Sequence, residues 1–191
     1  LNEILDAMLA KFSRRKVVLL CHSWGSFLGT IYAARFPAKV AAYVGVGQFA
    51  DMAASEDASY AFTLAEAQRR GHAAALKALK AIGPPPHDIA GVGKERRWLM
   101  AFGGATGPGF SLARLVWKAL RTPEASPLDL VRLLQGSSFS IKRLWSELVS
   151  ADLTRDYRRF EVPIVFILGR YDHQVVADDG RGGQGPAARA H

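Results

Sequence analysis

With 191 residues, 49% of them hydrophobic and 22% charged, the chain is long enough for one ordinary domain or for a core with an insertion. No apolar run reaches the length of a membrane-spanning helix and no secretory leader is visible, so a soluble protein without membrane contact is expected. The net charge of +8 would permit a nucleic-acid partner, but the basic residues are scattered (Lys77, Lys80, Arg155, Arg158, Arg159) without stacking aromatics or a reader motif, so none is expected.

Leu1, Ile4, Leu5, Met8, Leu9 and Phe12 recur at helical spacing and predict a helix whose apolar stripe packs on a sheet face. The chain opens at Leu1, already inside that pattern, and so reads as a fragment. Val17 to Cys21 predicts a strand, and Phe27 to Phe36 a helix stopped by Pro37. Between them stands Cys21-His22-Ser23-Trp24-Gly25-Ser26, a serine at the apex of a sharp strand-to-helix turn. This is the pattern of a nucleophile elbow, with Cys21 where G-x-S-x-G has its first glycine and Gly25 at the second. Small residues are needed two positions either side of the serine because strand and helix backbones approach closely there. Cys21, the one cysteine, cannot close an internal disulfide; it reads as a small apolar filler and is compatible with a cytoplasmic location.

Val40 to Val46 is a near-continuous apolar run suited to a parallel strand covered on both faces. From Asp51 to Phe160 the pattern is helix after helix, punctuated by Gly71, Pro84 to Pro86, Gly103-Gly104, Pro123, Pro127 and Gly136. Ser126, Pro127 and Asp129 form a helix start, with serine at the cap and proline at the first position. Val162 to Leu168 predicts a third buried strand, ending in Gly169-Arg170-Tyr171-Asp172. Beyond Asp178 the residues are Gly, Ala, Arg and polar without apolar periodicity, which predicts disorder.

A serine hydroxyl is a poor nucleophile unless a base takes its proton and donors hold the oxyanion. The backbone N–H of Trp24, at the positive end of the following helix, is the donor that the elbow itself supplies. His22 neighbours the serine on the same turn and is read as a wall of the elbow, not as the base.

Taken together these residues resemble the α/β-hydrolases, in particular the capped, proline-iminopeptidase-like branch. Val17 to Gly29 is similar to strand five, elbow and helix, Tyr43 to Gln48 to strand six, and Val162 to Asp172 to strand seven with its G-x-x-D end. The implied fold class is α/β, a partial hydrolase core of strands five to seven with an inserted helical cap. Its implied divisions are core at 1–50 and 161–177, cap at 51–160 and disordered tail at 178–191.

The resemblance implies that Asp172 is the acid that orients a catalytic histidine, in the chain order serine, acid, histidine. It implies a serine hydrolase cleaving an ester or amide through an acyl-enzyme, aminopeptidase-like, on a small-molecule or short-peptide substrate, with no cofactor or metal. Two departures stand against it: no glycine-rich oxyanion loop precedes the elbow, and no eighth strand with its histidine follows Asp172. His173 adjoins the acid on the same turn, His191 ends the Gly-rich tail, and His72 and His87 fall in the cap, so the histidine base is not identified. A non-catalytic fragment or pseudoenzyme is therefore the alternative, and the chain as given is expected to be inactive. An epoxide hydrolase or dehalogenase is disfavoured because those families carry aspartate where Ser23 stands.

Overall fold

Parallel strands cannot be joined by a hairpin, so the two runs that flank the elbow helix and the third run far downstream must meet through crossovers. The computed structural model describes residues 1–106, 111–123 and 126–175. The expected tail at 178–191, with His191, lies outside them. Strands β1 (Val17–His22), β2 (Val40–Val46) and β3 (Ile164–Ile167) form one parallel sheet in the order β1-β2-β3. Leu20 stands opposite Val44, and Val44 opposite Val165. The third strand is shorter than the apolar run because Pro163 has no N–H for the ladder; its carbonyl still accepts from Tyr43 N at 2.9 Å.

Helices α1 (Asn2–Lys11) and α2 (Trp24–Arg35) serve one face of this sheet. Leu19, Tyr32, Ala33, Val40, Tyr43 and Val162 make the core there, with Leu5 and Cys21 packed against it. The opposite face corrects the sequence expectation of strands covered on both sides. Val18 is 64% and Leu20 72% exposed, and Val165 and Ile167 on the same side are also exposed, so that face lies open among the described residues. The stripe of α1 is likewise only partly covered: Leu9 is buried, whereas Leu1, Ile4, Met8 and Phe12 remain exposed.

Between β2 and β3 run α3 (Met52–Arg69), α4 (Ala73–Ile82), α5 (Ile89–Ala101), α6 (Leu112–Arg121), α7 (Pro127–Ser150) and α8 (Leu153–Asp156). The two ends of this helical run meet: Asp51 and Asp152 form an isolated antiparallel bridge, and Leu153 N donates to Ala50 O at 2.8 Å. Both aspartates also cap helices, Asp51 accepting from Ala54 N and Asp152 from Thr154 N and Arg155 N. Ser126 and Asp129 close a reciprocal capping box with Pro127 in the first turn of α7, as the sequence predicts. Gly136 does not punctuate; α7 runs through it, since a helical glycine carries a penalty of only about 1 kcal/mol, within reach of a well-capped long helix. No described helix is long and apolar enough to cross a membrane.

The packing of α3 on α4 and α5 is partly polar. Ser55, Ser59 and Thr63 fall one turn apart on α3, and Ser59 Oγ and Thr63 Oγ1 donate to Glu95 Oε1 at 2.9 and 2.8 Å. Arg96 bridges Glu95, at 2.7 Å, to Glu56. Two buried carboxylates thus share one guanidinium. Burial pushes the Glu56 carboxyl up, against the pull of Arg96.

Arg96→Met would strand both acids and should lower stability in a urea melt by about 3–5 kcal/mol. Because the folded pKa of Glu56 is raised, its contribution is complete below the unfolded value of about 4.3 and is lost as pH rises through the folded value. The stability lead of wild type over Glu56→Gln should therefore shrink as pH rises above about 4.3. A lead that grows with pH would reverse the assignment.

Candidate active site

The last residue of β1 hands the chain to Ser23 at φ 52 and ψ −123, a left-handed φ that a non-glycine residue adopts only when its surroundings impose it. Both of its peptide groups are held. Ser23 N donates to Val46 O at 2.9 Å, and its carbonyl accepts from Ser26 N at 2.8 Å and Ser26 Oγ at 2.5 Å. Ser23 is the N-cap residue of α2, yet its side chain makes no capping hydrogen bond. Trp24 follows as the first residue of the helix.

The close approach expected at Gly25 falls one turn later. A β-carbon on Gly25 would lie 4.0 Å from Cys21 Cβ, an ordinary contact, whereas one on Gly29 would lie 2.5 Å from Cys21 Sγ and 2.7 Å from Tyr43 Cε2. Cys21 packs as the filler that the sequence suggests, and burial pushes its thiol up.

Beneath the turn is a buried polar network that the sequence reading missed. Ser26 Oγ accepts from Phe49 N at 3.1 Å, and Tyr43 Oη donates to Ser26 O at 2.9 Å. Gln48 Nε2 donates to Thr30 Oγ1 at 3.0 Å and to Phe49 O at 2.5 Å. Burial pushes the Tyr43 phenol up to about 12, so it stays a donor at any physiological pH. A Tyr inside an apolar strand and a Gln just after it were the available signal, since buried polar groups demand partners.

Above the C-terminal ends of the strands lies a cavity of about 330 Å³, lined among others by His22, Gly47, Thr106, Arg170, Tyr171 and Asp172. Asp172 closes the turn that leaves β3, its N donating to Gly169 O at 3.0 Å. Its Oδ1 accepts from Gln174 N and Val175 N at 2.9 and 3.2 Å, and its Oδ2 lies 3.8 Å from where a Gly47 side chain would start. Gly47 directly follows Val46, the residue that receives the Ser23 N–H. The elbow and the acid therefore flank the same end of β2.

Three of the four described histidines are engaged elsewhere. His173 stacks on Phe62 of α3 at 3.7 Å and 7°, its backbone N donating to Gly104 O. His72 caps α4 through Nδ1, and His87 Nε2 sits 2.8 Å from Gly83 O. His22 is exposed at the cavity wall. Among the described residues no imidazole is hydrogen-bonded to Asp172 or to the Ser23 side chain.

The family model described as the alpha/beta hydrolase fold matches residues 1–182. The chain belongs to the alpha/beta hydrolase fold family. Within that family it is similar to "Probable aminopeptidase YbaC" of Bacillus subtilis (strain 168), 28% identical over 179 residues, which are 92% of this chain and 56% of that protein. The chain thus spans about half the length of this curated relative. No solved structure matches.

For this hydrolase fold the close helix–strand contact at Gly29 is a testable requirement. Gly29→Ala should lower stability by about 1–3 kcal/mol through overpacking, and adding Cys21→Ala should return part of that loss by removing the nearest atom. Additive losses in thermal melts would refute the proposed contact.

Proposed function

We propose that this chain carries the nucleophile and the acid of a serine hydrolase that cleaves an ester or amide through an acyl-enzyme, with removal of an N-terminal residue from a short peptide as the favoured reaction. The supporting observation is the conformation of Ser23: a strained cap residue whose hydroxyl does not cap, directly after His22, which lines the same cavity as Asp172. Backbone strain held in place by surrounding hydrogen bonds is a reason to look for function at that residue.

In this reading Ser23 Oγ loses its proton to a histidine base as it bonds to the substrate carbonyl carbon. The carbonyl oxygen becomes an oxyanion and is held by the Trp24 N–H at the start of α2. Collapse expels the alcohol or amine with a proton returned by the histidine, and water then releases the acyl group from Ser23 by the same sequence. Asp172 fixes the orientation of that histidine, which the reading requires from outside the described residues. The helices between Asp51 and Asp152 act as the cap that selects the substrate. A second reading, a chain without catalysis, is favoured by one observation: no described imidazole is bonded to Asp172 or to the Ser23 side chain.

A fluorophosphonate probe on the full-length protein separates the two. Labelling is expected at Ser23, lost in Ser23→Ala, while Asp172→Asn should reduce turnover of aryl esters and aminoacyl anilides by about 10⁴. Labelling that survives Ser23→Ala would move the nucleophile elsewhere, and a full-length protein that neither labels nor turns over would leave the non-catalytic reading standing.

A further inference from the structure

Helix α6 divides cleanly by side. Arg114, Lys118 and Arg121 recur at i, i+4 and i+7 and share one face, while Leu115, Val116, Ala119 and Leu120 occupy the opposite one. The apolar face meets solvent: Leu115 is 52%, Val116 41% and Leu120 44% exposed. Trp117 lies at the boundary of the two faces, with the Arg121 guanidinium 4.2 Å above its ring. Helix α7, the next element in the chain, also carries exposed apolar residues. It buries Leu148 near its C-terminal end and leaves Leu128, Val131, Leu134, Phe139 and Leu144 exposed.

The charge on α6 has one sign, and α7 has a small basic excess. No acid occurs in α6, and α7 adds Arg132, Lys142 and Arg143 against Asp129 and Glu147. Asp129 is already engaged by Ser126 and Arg132. An apolar face opposite a basic one, with a tryptophan at their boundary, is the arrangement of a helix lying in a membrane interface, where the aliphatic stems stay near the apolar layer and the charged heads reach the phosphates.

We propose that α6, with the adjoining exposed part of α7, docks this protein on an anionic phospholipid surface. This revises the sequence expectation of no membrane contact, which rested on the absence of a spanning segment; a helix that lies on the surface needs none. The inference is independent of the chemistry assigned to Ser23.

Flotation of the monodisperse protein with phosphatidylcholine vesicles, with and without phosphatidylglycerol, tests it. Binding is expected to the anionic vesicles, to weaken with added salt, and to be far weaker on phosphatidylcholine alone. Replacing Arg114, Lys118 and Arg121 by Gln together should weaken anionic binding about a hundredfold. Leu115→Ser with Leu120→Ser should abolish it, with circular dichroism unchanged because both side chains are exposed. The lipid and salt arms use the unaltered protein and stand even if a variant fails to fold. No binding, or equal binding to neutral and anionic vesicles, overturns the proposal. Poly-glutamate bound as tightly as vesicles overturns it in favour of an acidic protein partner. A dimer that Leu115→Ser and Leu120→Ser dissolve, in a protein that ignores vesicles, overturns it in favour of a second copy.

Discussion

Holding Ser23 at a positive φ is unfavourable by about 1–3 kcal/mol, and the surrounding structure is arranged to hold it. Its N–H is tied to Val46 at the end of the central strand and its carbonyl to Ser26 on the first turn of α2. Those anchors are themselves fixed. Ser26 receives Phe49 N, and Tyr43 and Gln48 lock β2 to the base of the helix. Substituting any of these polar groups leaves a partner buried and unsatisfied, which carries a penalty of about 1–3 kcal/mol. The strain is thus secured by groups that cannot relax independently.

The same close approach explains residue choices that composition alone does not. Gly29 has no side chain because Cys21 and Tyr43 fill its space, and Gly45 has none because Gln48 and Phe166 fill its own. Cys21 in place of a first elbow glycine is accommodated because the atom it adds points toward Gly29. A larger residue at Cys21 would meet the helix backbone. The departure from the usual pattern is therefore compensated within this chain, one turn along α2.

What could be read from the sequence and what could not differ for physical reasons. Continuous runs such as Val40 to Val46, and local signals such as Ser126-Pro127 with Asp129, depend on few neighbours and form a strand and a capped helix start where expected, although the strand is not covered on both faces. The open face of Val18 and Leu20 is a property of what packs across a strand, which no local pattern contains. Gly136 misled because a glycine lowers helix stability without forbidding the helix. The Glu56–Arg96–Glu95 cluster was hidden because its members are distant in sequence, although the hydroxyls of Ser55, Ser59 and Thr63 at one-turn spacing marked α3 as a helix with a polar packing face. The amphipathic division of α6 is a local periodicity, with Arg114, Lys118 and Arg121 at i, i+4 and i+7, and is legible in the sequence.

Helix α7 connects these regions mechanically. Its C-terminal turns place Trp145, Leu148 and Val149 in one cluster with Trp24, Phe27, Phe49 and Met52. Trp24 is the residue after Ser23, Phe49 supplies the N–H that holds Ser26, and Met52 begins α3 just past the Asp51–Asp152 bridge. The opposite end of α7 carries the exposed apolar and basic surface that adjoins α6 in sequence. A helix is stiff over this length, and cores as dense as protein interiors transmit displacement instead of absorbing it. The exposed first half of α7 and the cluster around Trp24 therefore lie at opposite ends of one continuous helix.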